Sequence, residues 1–458
     1  MLVTEQLDFY TGVGLCVPLT LFIVLSLALN KRKKERVNND DLIDKWTPEP
    51  LTGEISQDQH TTSKYVVDQK AGYIITINGA PCINFATHNY LSFVENPEIE
   101  KSAIECIQKY GVGSCGPRGF YGTNVVHLAL EEDIASFMGL EESALYSFGF
   151  TTSASAITAY IKKNDAVFVD ENINFAIQTG LIGSRCKVQY FKHNNMEHLE
   201  QLLKKQDEKD LTMKKVTKKF IIAEGIYMRS GDICPLKDIL ELRDKYQARI
   251  FLDESLSFGT LGATGCGVTE YFDISTEEID MIIGSLEYAI GSVGGFCVGS
   301  SYIIEHHVLS GAGYCFSASL APFLAVAANK SLNILKNNPS MLKKLRDNCN
   351  LMHELLSQTC MSEHFLLQGH RDTPVKYLYL QETLNKNLDS QSKTLKHISD
   401  LCIQSGFAVS CPSSLDKEVN KPRPSIRITC NISHSQQDMN QLVDVLCKSY
   451  DIAVKSQS

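Results

Sequence analysis

The chain has 458 residues with a formal net charge of −9, and 43% of the residues are hydrophobic. A chain of this size can bury a large core without help from metals or disulfides, and its acidic balance argues against a duplex nucleic-acid partner, which needs a basic face. The 15 cysteines include no C-x-x-C pair, so we predict no metal site, and free thiols in a reducing compartment.

The first predicted element is a helix over 9–30, where 22 residues carry no charge. A bilayer core needs about 20 apolar residues in a helix, so this segment predicts a single membrane anchor. A cleaved signal peptide is the alternative, but Glu5 and Asp8 precede the apolar run and no basic residue does. The basic run 31–36 follows at once, which predicts a cytosolic location for the rest of the chain. We assign 1–36 to the anchor and its basic flank.

Residues 37–85 are predicted to form a linker, an arm and a hairpin. Polar and apolar residues alternate from Tyr73 to Phe85 on either side of Asn78-Gly79, a dipeptide typical of two-residue hairpin turns.

The glycine-rich stretch GVGSCGPRGFYG follows at 111–122. Glycine lets the backbone approach a ligand closely, although a loop of this kind is more often only a turn.

From Ala144 onward, short apolar runs alternate with helical patterns. The predicted strands of this region are ALYSF, AVFVD, KVQYF, KFIIAE, RIFLD and MIIGS. The alternation predicts an α/β fold with a mostly parallel sheet and crossover helices. Further on, VKYLYL, FAVSC and SIRITC predict strands of a smaller C-terminal region.

Polar residues follow two of the predicted strands. RIFLD ends on Asp253 with Glu254 after it, and MIIGS ends on Gly284 and Ser285. Ligands of open α/β sheets bind where such strands end. An acid at a strand end beside a glycine-rich turn is the arrangement that pyridoxal phosphate enzymes use, with the acid on the pyridinium nitrogen and a lysine further along as the Schiff base.

DESLSFGTLGATGCGV, which begins at Asp253, resembles the Asp-Glu-Ala-His-Ser-x-Gly block of the α-oxoamine synthases. GSLEYAIGSVGGF, which begins at Gly284, resembles their lysine block. These pyridoxal phosphate enzymes condense an amino acid with an acyl-CoA. The resemblance implies a fold-type I transferase of the aspartate aminotransferase kind, with a large domain at 86–322 and a smaller α/β domain at 323–458.

The chain departs from this family at the residues that perform its chemistry. The Schiff-base lysine falls on Tyr288, and no lysine occurs between Lys245 and Lys330. The histidine of the first block falls on Leu256, and the ring-stacking histidine falls on Asn174 or Phe175, depending on the register. A tyrosine cannot form the Schiff base, and its high pKa makes it a poor base at neutral pH. We therefore predict that this chain has no catalytic residue and holds no cofactor covalently.

The resemblance also implies site residues outside the lysine block. Those expected at a subunit interface, as a wall of the partner's active site, are Cys115, Arg118, Tyr121, Ser317 and Ser319. A degenerate cofactor pocket is expected at Asp253, Phe148 and Gly149, and a carboxylate contact at Arg427. Two alternatives stay open: Cys115 as a buried apolar thiol, and Arg427 as a member of an ordinary salt bridge at the end of the sheet.

The combination of this scaffold with no Schiff-base lysine resembles the non-catalytic subunits of serine palmitoyltransferases. The resemblance implies a heterodimer with a lysine-bearing homologue that holds pyridoxal phosphate and condenses L-serine with palmitoyl-CoA to 3-ketosphinganine, the first step of sphingolipid synthesis. It further implies small membrane activating subunits, membrane regulators and a single-pass location in the endoplasmic reticulum membrane. The alternatives are an active homodimeric α-oxoamine synthase with an unusual base, and a membrane scaffold or regulator with a degenerate transferase fold.

Overall fold

The computed structural model describes residues 21–29, 43–44, 46–51, 65–381, 387–415 and 417–455. These residues fall into two compact units, Met1–Lys64 and Tyr65–Ser458. In the first unit, 21–29 is helical and its side chains are largely exposed, while the remainder of the predicted anchor at 9–30 lies outside the described residues. Within the described ranges, no helix is both long enough and apolar enough to cross a membrane.

Among its described residues, the second unit contains thirteen strands and fourteen α-helices, which are named here in chain order. The strands are β1 (Ile74–Ile77), β2 (Ala80–Asn84), β3 (Glu142–Tyr146), β4 (Ala166–Asp170), β5 (Lys187–Phe191), β6 (Lys219–Glu224), β7 (Arg249–Asp253), β8 (Met281–Ser285), β9 (Gly295–Gly299), β10 (Phe365–Gln368), β11 (Val375–Leu380), β12 (Phe407–Ala408) and β13 (Ile426–Thr429). The helices are α1 (Pro97–Tyr110), α2 (Val125–Met138), α3 (Gly149–Tyr160), α4 (Phe175–Ser184), α5 (Met196–Met213), α6 (Leu236–Tyr246), α7 (Val268–Tyr271), α8 (Ser301–Ser310), α9 (Ala312–Phe316), α10 (Pro322–Asn337), α11 (Ser340–Leu356), α12 (Thr359–Ser362), α13 (Leu388–Gln404) and α14 (Gln436–Lys455).

The central sheet has seven strands in the order β3-β9-β8-β7-β6-β4-β5. The five strands from β8 to β5 run parallel to one another, whereas β9 is antiparallel to both β8 and β3. Strands β4, β7 and β8 are buried along almost their whole length, as expected of a parallel sheet covered by helices on both faces. The predicted mostly parallel α/β fold is confirmed.

Strand β9 was not predicted from the sequence. It begins and ends on glycine, a residue that is depleted in strands. The strand is nevertheless well packed, because Phe296 covers Gly284 of the neighbouring strand so closely that a Cβ atom on Gly284 would lie 2.3 Å from the ring. Tertiary packing therefore decides the conformation here.

Two three-stranded sheets complete the unit, with the orders β1-β2-β12 and β10-β11-β13. The predicted hairpin is confirmed: β1 and β2 pair antiparallel up to Ile77 and Ala80, and both turn residues, Asn78 and Gly79, have positive φ angles of 50° and 82°. The predicted strand FAVSC is shorter than expected, since only Phe407 and Ala408 pair with β2.

Because β4, β6, β7 and β8 are parallel, their carboxyl ends lie along one edge of the sheet. The last residues of these strands are Asp170, Glu224, Asp253 and Ser285, and all four are buried. Polar side chains from four strands therefore converge where the sequence places a ligand site.

Candidate functional site

Two carboxylates lie side by side at the centre of this edge. Glu224 and Asp253 are directly paired in the register of β6 and β7, and both are buried. Burial, and then the charge of Asp253, raise the pKa of Glu224 to about 8, while burial raises the pKa of Asp253 above its usual range. Since a desolvated pair of this kind resists carrying two negative charges, the site favours cationic or hydrogen-bond donating neighbours.

Asn174 supplies such donors. It lies at the N-terminus of α4, where its side-chain oxygen accepts the N–H of Ile177 at 3.0 Å. Its Nδ2 donates to Asp253 Oδ2 at 3.2 Å and its backbone N–H donates to Glu224 Oε1 at 2.6 Å. Of the two registers left open by the sequence, the structure thus brings Asn174 against Asp253, while Phe175 lies beside the ring of Phe150.

The remaining bonds of Asp253 also come from this chain. Ser153 Oγ donates to Oδ2 at 3.3 Å, and the N–H of Ser255 donates to Oδ1 at 2.9 Å. Both oxygens of the acid predicted for the degenerate cofactor pocket therefore have partners within the fold.

A third carboxylate, on Glu287, lies at the start of α3. Helix α3 begins at Gly149, directly after β3, and the N–H of Gly149 donates to Glu287 Oε1 at 3.1 Å. The backbone of Gly149 also lies close to the end of β8, because a Cβ atom on Gly149 would lie 2.8 Å from Ser285 Oγ. A helix N-terminus is a natural anion site, and here a side chain of the same chain supplies the anion. Phe148, also predicted for this pocket, is exposed.

Tyr288 follows Glu287 in the turn between β8 and β9. Its ring meets the edge of the His88 ring, with a centroid distance of 4.9 Å. Burial, together with the charges of Glu287, Asp253 and Glu224, raises the pKa of Tyr288 well above its usual value. The side chain is therefore a neutral phenol at physiological pH. Leu256, which replaces the second histidine, is buried in the hydrophobic core and contributes packing alone.

Arg427 reaches the same region from β13. Its Nη2 donates to the carbonyl oxygen of Ala86 at 2.9 Å, and its Nε is buried without a hydrogen-bond partner. No ion pair between Arg427 and an acid is seen among the described residues, and the role of Arg427 as a carboxylate contact or a salt-bridge member stays a prediction. Its charge acts on His88, whose pKa is lowered by burial and then by Arg427.

The glycine-rich loop has a buried side and an exposed side. Arg118 is only 8% exposed and donates from both terminal nitrogens to the carboxylate of Glu131, at 2.6 and 2.8 Å. Its Nε donates to Thr123 Oγ1 at 3.0 Å. Arg118 thus supports the loop from within. Cys115, in contrast, is exposed with a positive φ of 59°, so the alternative of a buried apolar thiol is wrong.

The outer side of this loop joins a second segment, which contains Ser317 and Ser319. The N–H of Ser319 donates to the carbonyl oxygen of Gly116 at 2.9 Å, and Ser114 Oγ donates to the carbonyl oxygen of Ser319 at 2.9 Å. Ser317 itself is exposed. The aromatic side chains exposed on the loop, on this segment and at the start of α3 are Phe120, Tyr121, Phe148, Phe150 and Phe316. Exposed apolar side chains that form a contiguous patch are typical of an interaction surface.

One partly buried ionic cluster includes His193 of the sequence FKHNN, for which the sequence indicated only a structural role. His193 lies between the carboxylates of Asp170 and Asp232, at 2.9 and 3.2 Å from its two ring nitrogens. Burial lowers the pKa of His193, but the hydrogen bonds and charges of the two acids outweigh burial and raise it to about 9. Asp232 also accepts a hydrogen bond from Gln368 of β10 at 2.8 Å, so the imidazolium links the central sheet to the C-terminal sheet.

We expect this cluster to make stability depend on pH. The folded pKa of His193, about 9, exceeds the unfolded value of about 6.5, so its stabilisation is complete below about 6.5 and is lost as pH rises through about 9. The free energy of unfolding, measured by denaturant titration at several pH values, should therefore fall across this window. His193→Gln should flatten the slope, and an unchanged slope in that variant would assign it to other groups.

The chain is similar in sequence to a known protein family and to several known proteins. A family model described as aminotransferase class I and II matches residues 80–446. Serine palmitoyltransferase 1 of Dictyostelium discoideum is 35% identical over 97% of this chain and 94% of its own length. Long chain base biosynthesis protein 1 of Arabidopsis thaliana is 38% identical over 89% of this chain and 84% of its own length.

Among solved structures, a serine palmitoyltransferase variant from S. paucimobilis, with bound PLP–myriocin aldimine, has a TM-score of 0.76 at 22% identity. The match covers 93% of this chain and 98% of that one, and it establishes the pyridoxal phosphate-dependent aminotransferase-like fold predicted from the sequence. The chain therefore belongs to the aminotransferase class I and II family and, within it, to the group that serine palmitoyltransferase 1 and long chain base biosynthesis protein 1 represent.

Proposed function

We propose that this chain is the non-catalytic subunit of a serine palmitoyltransferase. It pairs with a homologous subunit that carries the lysine and holds pyridoxal phosphate. The complex condenses L-serine with palmitoyl-CoA, releases CoA and CO2, and yields 3-ketosphinganine for sphingolipid synthesis. Two relatives whose names state this activity or long-chain-base synthesis support the proposal, since each aligns with most of this chain.

The contact between Glu287 and Gly149 is the observation that carries the non-catalytic role. A cofactor phosphate at the start of α3 would need the N–H that Glu287 Oε1 already accepts at 3.1 Å, and it would meet a carboxylate of like charge. Tyr288 offers a phenol where an amine is required, and Asn174 already donates to Asp253. The residues of this pocket therefore do not fit pyridoxal phosphate, and we assign the cofactor and all bond-making steps to the partner.

The contribution of this chain is assembly. The exposed aromatic side chains around the glycine-rich loop, which include Tyr121 and Phe316, form a surface that a homologous subunit covers in the heterodimer. Arg118 and Glu131 hold the loop from below, so the wall presented to the partner's active site is rigid. We further propose that the segment 9–30 anchors the chain once in the endoplasmic reticulum membrane with the main unit in the cytosol, where small membrane activating subunits and regulators join the complex.

Reductive trapping tests the proposal. A tag on this chain is used to draw the complex from membranes, borohydride fixes pyridoxal phosphate to the lysine that holds it, and peptide mass spectrometry identifies that lysine. We expect the label on a co-purifying homologue and none on this chain. A label on this chain would indicate an active homodimer. Isolation of this chain without any lysine-bearing homologue would instead indicate a scaffold or regulator.

Tyr288→Phe is expected to leave the activity of the complex nearly unchanged. No hydrogen bond of the Tyr288 hydroxyl is seen among the described residues, and phenylalanine keeps the ring that packs on His88. Stability should change by no more than about 0.5 kcal/mol. The measurement is 3-ketosphinganine formation by the assembled complex, with assembly checked by co-purification. A loss of activity of tenfold or more in a fully assembled complex would show that the phenol takes part in the reaction.

A further inference from the structure

A basic tip lies at the end of α5, in the turn that leads to β6. We define it as residues 204–218, which carry exposed lysines at positions 204, 205, 209, 214, 215 and 218. Three apolar side chains stand among them: Leu211 is 79% exposed, Met213 is 64% exposed and Val216 is 93% exposed. The whole chain has a net charge of −9, so this segment differs from the rest of the protein in combining lysines with exposed apolar side chains.

The tip is held in a defined shape by one acid. Asp210 accepts hydrogen bonds from the N–H and the hydroxyl of Thr217, both at 2.8 Å, and its carbonyl oxygen accepts the N–H of Lys215 at 3.0 Å. Lys214 takes a left-handed conformation with a φ of 49°, which turns the chain sharply after the helix. Thr217 is buried as a result, and Val216 beside it is forced outward. The apolar side chains therefore stand in solvent in a defined arrangement.

The basic tip keeps a net positive charge, because its lysines outnumber its acids. Among the described residues, the six lysines of the tip form no ion pair, whereas the neighbouring Lys219 pairs with Asp207. Asp210 keeps its negative charge while it accepts the hydrogen bonds of Thr217, and the six lysines and three acids of residues 204–218 leave a net charge of +3. A positive field is therefore directed outward around the three exposed apolar side chains.

We propose that the basic tip docks on an anionic lipid surface. The lysine head groups would meet lipid phosphates while their stems lie along apolar chains, and Leu211, Met213 and Val216 would enter the boundary between head groups and acyl chains. A lipid surface suits a turn with a net positive charge and exposed apolar side chains, because it needs no complementary shape. An acidic protein partner would also match the charge, and the experiment below separates the two.

The position of the tip makes it independent of the site described above. Strand β6 begins at Lys219, directly after the tip, and ends at Glu224 in the site, so the two lie at opposite edges of the sheet, about 20 Å apart along the strand. Docking at the tip would fix the orientation of the whole unit on the membrane without touching the carboxylate pocket. The inference therefore stands or falls separately from the proposed function.

Lysine footprinting of the full chain tests the proposal. The chain, or the complex purified through it, is reconstituted into protein-free vesicles of phosphatidylcholine or of phosphatidylcholine with phosphatidylserine. A water-soluble amine-reactive ester then labels exposed lysines, which are quantified by mass spectrometry. We expect slower labelling of Lys214, Lys215 and Lys218 in the anionic vesicles, reversed by high salt, with Lys343 and Lys344 on α11, which are also exposed, labelled equally in both.

Variants sharpen the test. Each lysine near an anionic surface contributes about fivefold to binding, so Lys214→Ser with Lys215→Ser should lower the docking equilibrium roughly 30-fold. Val216→Ser should weaken docking with the charge unchanged, and the pair Lys343→Ser with Lys344→Ser should have no effect. Equal labelling in both vesicle types would overturn the proposal. The same labelling is also carried out in native membranes, which retain their proteins. Protection there but not in the protein-free anionic vesicles would overturn the proposal in favour of an acidic protein partner.

Discussion

Replacing Arg118 with methionine is expected to lower the free energy of unfolding by about 3 to 5 kcal/mol. The side chains of Arg118 and Glu131 are only 6% and 13% exposed, so the substitution would leave a nearly buried carboxylate without its cation. Methionine fills a similar volume, which confines the effect to the lost charge and its hydrogen bonds. Because Glu131 also accepts the N–H of Leu145 at 2.9 Å, it cannot simply turn towards water.

A double-mutant cycle with Glu131→Gln measures the coupling between these two side chains. We expect the double variant to be more stable than Arg118→Met alone, since an amide does not need the missing cation. Lys101→Met is a matched control, because Lys101 and Glu105 form an ion pair whose members are 79% and 65% exposed, worth about 0.5 kcal/mol at most. Equal losses for Arg118→Met and Lys101→Met in denaturant titrations would contradict the buried-pair account.

Gly122→Ala is expected to distort the glycine-rich loop and, if the proposed heterodimer forms through this loop, to reduce its assembly. A Cβ atom on Gly122 would lie 1.9 Å from the carbonyl oxygen of Gly116 and 2.6 Å from that of Pro117. Both are backbone atoms, so relief requires the loop itself to move. Overpacking usually costs about 1 to 3 kcal/mol, and the absence of any flexible side chain that could yield places this variant at the upper end.

Gly119→Ala in the same loop provides the control. Nothing lies within 4 Å of a Cβ atom on Gly119, so the same chemical change should be tolerated there. We expect the Gly122 variant to lose heterodimer recovery and complex activity by about tenfold or more, as 1.4 kcal/mol already corresponds to tenfold, while the Gly119 variant matches the unaltered protein. Similar behaviour of the two variants would mean that the loop is not part of the subunit interface.

Local pattern was sufficient to predict most of the sheet. The strands AVFVD, KVQYF, KFIIAE, RIFLD and MIIGS have the bounds that the sequence indicates, because buried parallel strands are short apolar runs between turn residues. Strand β9 escaped prediction because its residues gain their stability from Phe296 packing over Gly284, a contact with another strand. The strand β10 was missed as well, since it is short and only its first residue is fully buried.

The site could be predicted in position but not in detail. The sequence located Asp253, Tyr288 and Asn174, because each has a fixed position within a short sequence motif. The role of Glu287 could not be found this way, since its partner Gly149 is 138 residues away and no short pattern links them. The sequence places Arg118 in a glycine-rich loop and therefore predicted it at an interface. It could not show that the side chain turns inward to Glu131 on the following helix.

The hydrogen bond between Glu131 and the N–H of Leu145 has a consequence for solubility. Strand β3 is the last strand of the seven-stranded sheet, and an edge strand with free N–H groups invites another strand to add to it. Glu131 accepts one of these N–H groups, that of Leu145, and thereby removes it from the donors that another strand would need. The residue that holds the glycine-rich loop in place thus also leaves one fewer donor at this edge for another strand to pair with.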